Sequence, residues 1–230
     1  MTNASGSGAV QSPLPAAQSA QLTKILEILA SDGHSPTTIR DPERASRLHL
    51  ADSLASLEIP EVATARRIAD LGSGAGFPGL PLAVALPQAQ VSLIESQRRK
   101  CDFLERVLLA TGIENADVVC ARAEEWSAGA GINDLVVARA LAPQPVVLEY
   151  AAPLLRIGGA LVDWRGRRSD EEEGEGARAA AILGLHRREI RRVPAIEGAT
   201  EHHLHVFLKL EETPDRFPRR AGMARKRPLR

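Results

Sequence analysis

Cysteine and long apolar runs are scarce in this chain of 230 residues. The two cysteines, Cys101 and Cys120, match neither a disulfide framework nor a zinc-ligand spacing, so we expect isolated thiols in a reducing compartment. No apolar run is long enough to cross a bilayer, and residues 1–20 lack the basic start and apolar core of a signal peptide. The sequence therefore predicts a cytoplasmic protein with no membrane partner.

Aromatic residues make up only 3% of the chain. Proteins that recognise unpaired nucleic-acid bases commonly stack them on aromatic side chains. The composition excludes such a stacking platform, and we expect only Phe77 and Trp164 near a ligand cleft.

Metal ligands are also sparse. His202, His203 and His205 are close in sequence, but on a strand only His203 and His205 share a face, and no acid or cysteine completes a ligand set. The histidines are interpreted as part of a polar strand face, and no metal is predicted.

The charge is balanced overall but unevenly distributed. Residues 215–230 carry seven basic residues against one acid, a net charge of +6 that leaves −6 on the other 214 residues. A basic segment attracts polyanions, of which nucleic acid is the commonest. It is equally typical of a solvated chain end, and the sequence leaves both interpretations open.

Strand-like and helix-like segments alternate beyond residue 60. The strand-like runs cover 66–71, 90–95, 116–121, 134–139 and 159–164, and a helix is predicted over 97–112. Such alternation predicts parallel strands with helices on both sheet faces. Two further strands, 187–193 and 203–210, follow without a full helix between them, which favours an antiparallel pair at one edge. The fold class is therefore α/β, with a mostly parallel seven-stranded sheet.

Helical segments precede and interrupt this pattern. One helix is predicted over 17–31, and another begins at Asp41-Pro42, carries His49 and ends before Pro60. His49 could face a cleft or pack with a structural hydrogen bond. The acidic run at 169–176 is expected to cap and begin an exposed helix.

Glycines follow the first predicted strand in the sequence DLGSGAGFPG, residues 70–79. Residues 74–79 fit G-x-G-x-x-G, the dinucleotide-binding pattern. Asp70, Gly72, Gly74 and Gly76 fit the acidic, glycine-rich loop of enzymes that bind S-adenosylmethionine. In either case backbone N–H groups can approach a ligand closely. Glu95, at the end of the second strand, can accept hydrogen bonds from ribose hydroxyls.

Asp70 favours one ligand over the other. A dinucleotide would bring a pyrophosphate next to this acid, whereas S-adenosylmethionine brings an ammonium and a sulfonium, together with a carboxylate for the loop amides. The antiparallel edge pair also fits methyltransferases better than dehydrogenases. The sequence therefore predicts S-adenosylmethionine as cofactor.

Several motifs beyond the glycine loop resemble one family. They are IRDPERASRLHLADSL (39–54), DLGSGAGFPGLPL (70–82), RRKCDFLERV (98–107), ARAEEW (121–126), VVARAL (136–141), VPAIEG (193–198) and FPRRAGMARKRPL (217–229). In this order they resemble the glucose-inhibited division protein B family, bacterial methyltransferases that modify N(7) of a guanosine in 16S ribosomal RNA. The resemblance implies a Rossmann-like class I methyltransferase fold, and 16S ribosomal RNA or the small ribosomal subunit as partner.

The resemblance also implies roles for particular residues. Gly72, Gly74 and Phe77 would line the methionine end of the cofactor. Ala123 and Glu124 would bind the adenine, in part through backbone groups.

Three arginines are the candidate catalytic residues. Arg139 would close the site, while Arg122, Arg139 and Arg165 would grip flanking phosphates or the guanine O(6). Arg122 and Arg139 could equally be solvent-facing charges.

Two positions depart from the family pattern. The family usually has Lys-Gly after the fifth strand, whereas this chain has Arg165-Gly166. The guanidinium of arginine is planar and has several donors in a fixed arrangement, whereas the ammonium of lysine acts as a point charge. The segment 33–38 also lacks the usual aromatic residues. Two other functions therefore stay open, a nicotinamide-dependent oxidoreductase and a ribosome-assembly module that has lost its chemistry.

The expected organisation has four parts. These are a disordered arm (1–15), an N-terminal helical extension (16–60), the methyltransferase domain (61–213) and a basic C-terminal tail (214–230). We expect a monomer.

Overall fold

The computed structural model describes residues 14–32, 46–193 and 202–230. Most of the predicted disordered arm, the helix start at Asp41-Pro42 and the aromatic-poor segment 33–38 lie outside the described residues.

A seven-stranded sheet forms the centre of the molecule, in the order β3-β2-β1-β4-β5-β7-β6. The strands are β1 Arg67–Leu71, β2 Gln90–Glu95, β3 Ala116–Cys120, β4 Asn133–Arg139, β5 Leu155–Arg165, β6 Leu185–Arg192 and β7 His203–Lys209. The first five are parallel, and β7 pairs antiparallel with both β5 and β6. The predicted fold class, including the antiparallel pair at the C-terminal edge, is confirmed.

Helices cover both faces of this sheet. The main ones are α1 Ala16–Ser31, α2 Gly79–Ala85, α3 Arg98–Thr111, α4 Gln144–Ala151 and α5 Asp170–Ile182. Helix α5 begins as predicted, with the Ser169 side chain accepting from the Glu172 amide at 3.4 Å.

Shorter helical turns complete the chain. In the N-terminal extension a π-helical turn (Ser46–Ala51), an α-turn (Asp52–Leu54) and a 3₁₀ turn (Ala55–Glu58) run without a break, and a short helix follows at Pro60–Ala63. The other 3₁₀ turns are Ala123–Glu125, Ser127–Gly129 and Ala152–Leu154, and Met223–Lys226 forms a last helical turn.

Two apolar clusters fill the space between sheet and helices. Side chains of β1 alternate between them, so that Ile68 joins the cluster beneath α1, α2 and α3, while Ala69 and Leu71 join the one beneath α4 and α5. This alternation follows from the two-residue period of a strand. Because β1, β2, β3 and β4 are parallel, their carboxyl ends lie at one common edge of the sheet.

The cysteines differ from their prediction. Cys101, in the first turn of α3, and Cys120, the last residue of β3, pair as a disulfide with 5.8 Å between their Cα atoms. The expectation of isolated thiols is wrong because α3 starts just after β2, and β2 and β3 are parallel neighbours. The start of the helix and the end of β3 therefore meet at the same sheet edge.

The histidines of β7 are more enclosed than a polar strand face implies. His203 and His205 are both buried, because β7 lies between β5 and β6 rather than at the edge. Nδ1 of His205 lies 3.0 Å from Nε2 of Gln144, and Nδ1 of His203 lies 3.1 Å from the Gly166 carbonyl oxygen. Across the described ranges, no group of three or more potential ligands could hold a metal ion, and no helix there is long and apolar enough to span a membrane.

Candidate active site

The glycine loop leaves the carboxyl end of β1 and is pinned to the neighbouring strand. The amides of Gly72 and Ser73 donate to the Ile94 carbonyl oxygen of β2, at 2.8 and 3.0 Å. Gly72, Gly74 and Gly76 all have positive φ angles, 68°, 56° and 92°. Glycine adopts these angles at no steric cost, so the loop conformation requires it.

The loop glycines leave different amounts of room. A Cβ on Gly72 would come within 2.6 Å of Leu141 Cδ1, so the Leu141 side chain would have to shift. A Cβ on Gly74 would meet only the Gly72 carbonyl oxygen, at an ordinary 3.6 Å. Open space therefore lies next to Gly74, where a ligand can approach the backbone.

A cleft of about 220 Å³ opens at this edge of the sheet. Its lining comes from the ends of four parallel strands and the segments after them, from α3 and α4, and from the C-terminal segment. The lining residues are Gly72, Ile94, Glu95, Ser96, Gln97, Lys100, Ala121, Arg122, Ala123, Glu124, Ala140, Leu141, Tyr150 and Arg225. Five predicted site residues thus lie together, namely Gly72, Glu95, Arg122, Ala123 and Glu124.

Glu95 connects the cleft to the glycine loop. Its Oε2 accepts from the Gly74 amide at 3.2 Å, and its Oε1 accepts from the Gln97 amide at 2.8 Å. The Lys100 ammonium lies 3.9 Å from Oε2. The carboxylate is therefore held at the end of β2 and faces the loop.

Asp70 lies behind the loop and does not line the cleft. It is buried, and its Oδ2 accepts from the Gly79 amide at 3.2 Å. Its Oδ1 is buried and has no hydrogen-bond partner among the described residues. Burial raises the pKa of Asp70 to about 6, against the smaller lowering effect of its hydrogen bonds. The carboxylate thus braces the loop and places a negative charge beneath it.

A second group adjoins the cleft on the side of the N-terminal extension. The His49 and Phe77 rings lie 5.0 Å apart between centroids, and the Arg139 guanidinium carbon lies 5.5 Å from the Phe77 centroid. Arg139 donates from Nη1 to Asp52 Oδ2 at 3.2 Å. Phe77 and Arg139 are therefore brought together, beside the cleft lining rather than within it.

His49 both packs and contacts a predicted site residue. Nη2 of Arg139 lies 3.1 Å from Nδ1 of His49. Because a guanidinium can only donate, Nδ1 accepts this hydrogen bond. Burial, and then the positive charge of Arg139, lower the pKa of His49 to about 4. The imidazole is therefore neutral at physiological pH.

Arg165 lies apart from both groups. It donates from Nη1 to the Ala142 carbonyl oxygen at 2.8 Å, and it lies 3.8 Å from Asp163 and 3.4 Å from Glu172. Its side chain is 18% exposed. Its contacts with the protein are thus to the loop after β4 and to α5, not to the cleft.

Sequence reasoning missed several residues of this region. Asp52 gave no signal because its partner, Arg139, is 87 positions away. Tyr150 and Arg225 also line the cleft, although α4 reads as an apolar helix and 215–230 as a plain basic run. Trp164, expected near the cleft, is buried and donates to the Asp52 carbonyl oxygen at 3.3 Å.

Known proteins share features with this chain at two levels, the fold and the sequence. Solved structures support the fold alone. Cofactor-bound Rv0187 from MTB has a TM-score of 0.56 at 21% identity, over 88% of this chain and 94% of that one. Precorrin-6y C5,15-methyltransferase from Geobacter metallireducens GS-15 has a TM-score of 0.54 at 14% identity, over 77% and 92%.

Sequence relatives go further than the fold. The family model GidB, described as rRNA small subunit methyltransferase G, matches residues 18–203. The chain is 41% identical to the ribosomal RNA small subunit methyltransferase G of Rubrobacter xylanophilus over 197 residues, 83% of this chain and 76% of the relative. The protein therefore belongs to the rRNA small subunit methyltransferase G family.

Proposed function

We propose that this protein transfers the methyl group of S-adenosylmethionine to N(7) of a guanosine in 16S ribosomal RNA. The observation that carries the proposal is the open space at Gly74, at the edge of the cleft and next to the carboxylate of Glu95. The family to which the chain belongs supports the same function. The substrate is 16S ribosomal RNA, either free or within the small ribosomal subunit.

The residues present fit the cofactor. Glu95 offers carboxylate oxygens to the ribose hydroxyls, and Ala123 and Glu124 offer the turn after β3 to the adenine. Gly72 and Gly74 would line the methionine end of the cofactor, since the backbone at Gly74 has open space for a ligand to approach. The buried negative charge of Asp70 beneath the loop complements the cationic end of the ligand. When bound, S-adenosylmethionine supplies an electrophilic methyl group.

The chemistry asks for orientation rather than for a base. Guanine N(7) carries an in-plane lone pair and no proton, so the protein has only to hold the acceptor in line with the methyl group. His49 is neutral, and its Nδ1 is engaged by Arg139.

We assign the contacts with RNA to the three arginines. Arg139, held by Asp52 and stacked near Phe77, is placed to orient the guanine through O(6), since a donor on N(7) would block the attacking lone pair. Arg122, exposed at the cleft, would bind a flanking phosphate. Arg165 lies apart from the cleft and contacts the Ala142 carbonyl oxygen and Glu172, so it would meet a phosphate only outside the cleft.

Methylation of small-subunit RNA is the decisive experiment. Purified protein is incubated with labelled S-adenosylmethionine and either free 16S RNA or small subunits, and the product is mapped by chemical cleavage at N(7)-methylguanosine. We expect one labelled guanosine. Label at another base atom would overturn the choice of product, and binding of both ligands without transfer would favour the non-catalytic assembly module.

The oxidoreductase alternative is separated by ligand-induced stabilisation. A ligand at about a hundred times its dissociation constant raises the free energy of unfolding by about 2.7 kcal/mol. We expect S-adenosylmethionine to raise the melting temperature and nicotinamide dinucleotides to leave it unchanged.

The localisation, the oligomeric state and the domain boundaries are proposed on the basis of the same function. A ribosomal RNA substrate fits a cytoplasmic monomer, with residues 61–213 as the methyltransferase domain and 16–60 as an extension that supplies His49 and Asp52.

A further inference from the structure

The C-terminal segment, residues 215–230, is packed against the body of the protein. Phe217 and Ala224 are buried in the apolar cluster beneath α4 and α5. Arg219 donates to Glu149 Oε1 from its backbone N at 3.3 Å and from Nε at 2.8 Å, and its Nη2 contacts Oε2. Glu149 is itself buried. The segment is thus anchored by an enclosed ion pair, which the sequence-based picture of a solvated end did not include.

Beyond this anchor the segment reaches both sides of the cleft. The Gly222 amide donates to Glu124 Oε1 at 2.9 Å, on the side of β3. Arg225 donates from Nη2 to the Leu141 carbonyl oxygen at 3.0 Å, on the side of β4. Glu124, Leu141 and Arg225 all line the cleft. Residues 222–225 therefore bridge the two strand ends between which the cleft lies.

Tyr150 connects the contact at Glu124 with the contact at Arg225. Its side chain is buried and lines the same cleft. Burial and then the negative charge of Glu124 raise the pKa of its phenol, while Arg225 acts in the opposite direction. The hydroxyl is thus in electrostatic contact with both Glu124 and Arg225. One buried aromatic ring joins the turn proposed for adenine to the C-terminal segment.

We propose that residues 215–230 form the adenine-side wall of the cofactor cleft, with Arg225 as the residue that positions the nucleoside end of S-adenosylmethionine. This inference rests on the proposed function. The segment fixes the Glu124 carboxylate through Gly222, so the turn Ala123–Glu125 is held in place. The planar guanidinium of Arg225 can also lie against an aromatic base.

Neighbouring cations of the segment do not share this position. Lys226 and Arg227 are exposed and do not line the cleft. They remain available to RNA phosphates. The segment therefore has two separable surfaces, one facing the cofactor and one facing solvent.

Substitution of Arg225 tests the proposal without disturbing the buried anchor. We expect Arg225→Ala to raise both the Kd and the KM for S-adenosylmethionine by about tenfold, a loss of about 1.4 kcal/mol, with kcat unchanged. Arg225→Lys restores part of the affinity, because a lysine can still donate to the Leu141 carbonyl. The matched control, Lys226→Ala, removes one positive charge at the adjacent position and leaves the Kd for S-adenosylmethionine unchanged. Equal Kd values for wild type and Arg225→Ala, or an equal loss in Lys226→Ala, would overturn the proposal.

Limited proteolysis of the full chain gives an independent readout. We expect S-adenosylmethionine to slow tryptic cleavage after Arg225 and Lys226, while cleavage at Lys24, exposed on α1, is unaffected. Unchanged cleavage with saturating cofactor contradicts a wall role for the segment. If the wild-type protein binds no S-adenosylmethionine, the proposed function itself fails. If it binds and transfers methyl groups while Arg225→Ala behaves like wild type, only the wall inference fails.

Discussion

Arg139 donates to Asp52 Oδ2 at 3.2 Å and thereby ties the end of β4 to the N-terminal extension. Both side chains are largely enclosed, at 16% and 2% exposure. The other oxygen, Asp52 Oδ1, lies 3.3 Å from Nδ1 of His202. Among the described residues, Asp52 is the carboxylate that forms an ion pair with the enclosed guanidinium of Arg139, so we infer that Asp52 sets the orientation of Arg139.

Asp52→Asn is therefore expected to lower methyl transfer through Arg139. Loss of the buried negative charge should lower the free energy of unfolding by about 3 kcal/mol and kcat by roughly tenfold. The Kd for S-adenosylmethionine should stay unchanged, because Asp52 does not line the cleft. Urea denaturation measures the free energy of unfolding, methyl-transfer assays measure kcat, and titration calorimetry measures the Kd.

Glu58→Gln serves as the control for this substitution. Glu58 lies in the same extension and, among the described residues, forms an exposed ion pair with Arg191 at 3.7 Å. Its substitution should leave both stability and kcat near wild type. A similar kcat loss in both variants would mean that the extension as a whole, rather than Asp52, supports catalysis.

Gly74→Ala should weaken cofactor binding selectively. The new methyl group would enter the open space beside the loop, where we place the ligand. Gly112→Ala is a close match, because Gly112 has φ 65° against 56° for Gly74, and its Cβ would meet nothing within 4 Å. Each substitution should lower the free energy of unfolding by about 1 kcal/mol through backbone strain. Only Gly74→Ala should raise the Kd for S-adenosylmethionine; equal Kd values in both variants would place the ligand elsewhere.

The sheet and the loop could be predicted because their signals are local. Apolar runs mark β1, β2 and β4 within one residue of their observed ends, and the glycine pattern marks the first strand end. The start of β5 was placed four residues late, because Gly158 and Gly159 interrupt its apolar pattern. These elements depend mainly on residues that are adjacent in sequence.

The tertiary pairs could not be predicted in the same way. Asp52 with Arg139, Glu124 with Gly222 and Glu149 with Arg219 join residues 70 to 98 positions apart. Each partner alone resembles an ordinary surface charge or a turn glycine. The basic segment was interpreted by its charge, whereas its placement depends on the burial of Phe217 and on carboxylates supplied by other elements.

The burial of Asp70 has a consequence for stability against pH. Its pKa is raised from 3.8 to about 6 in the folded protein. As pH rises from 4 to 6, the unfolded chain releases this proton before the folded chain does. The contribution is fully present below pH 4 and lost as pH rises through 6, by about 3 kcal/mol in all.

Asp70→Asn removes this titration. We expect the unfolding free energy of the variant, relative to wild type, to increase by about 3 kcal/mol between roughly pH 4 and 6 and to stay level above that range. Urea denaturation at a series of pH values measures the difference. Asp215→Asn, at an exposed position, should run parallel to wild type. A parallel course for Asp70→Asn would show that Asp70 does not titrate with a raised pKa.

The rate of methyl transfer should not rise with pH between neutral and moderately basic conditions. The pKa of His49 is lowered to about 4, and burial raises the pKa of Asp70 to about 6 and of Asp163 to about 7. Between pH 7.5 and 9 the imidazole therefore stays neutral and both carboxyl groups stay mainly ionised. The single-turnover rate at saturating RNA and cofactor should therefore be flat between roughly pH 7.5 and 9.

His49→Gln distinguishes orientation from proton transfer at this site. The glutamine can still accept from Arg139 but cannot act as a base with a titrating imidazole. If the protein only orients its substrate, the rate of the variant is lower than that of wild type at every pH in this range and stays independent of pH. A tenfold rise in the wild-type rate across the range, abolished in His49→Gln, would instead show that a base removes a proton. Guanine N(7) has none to remove, so that outcome would assign the methyl group to a different atom of the RNA.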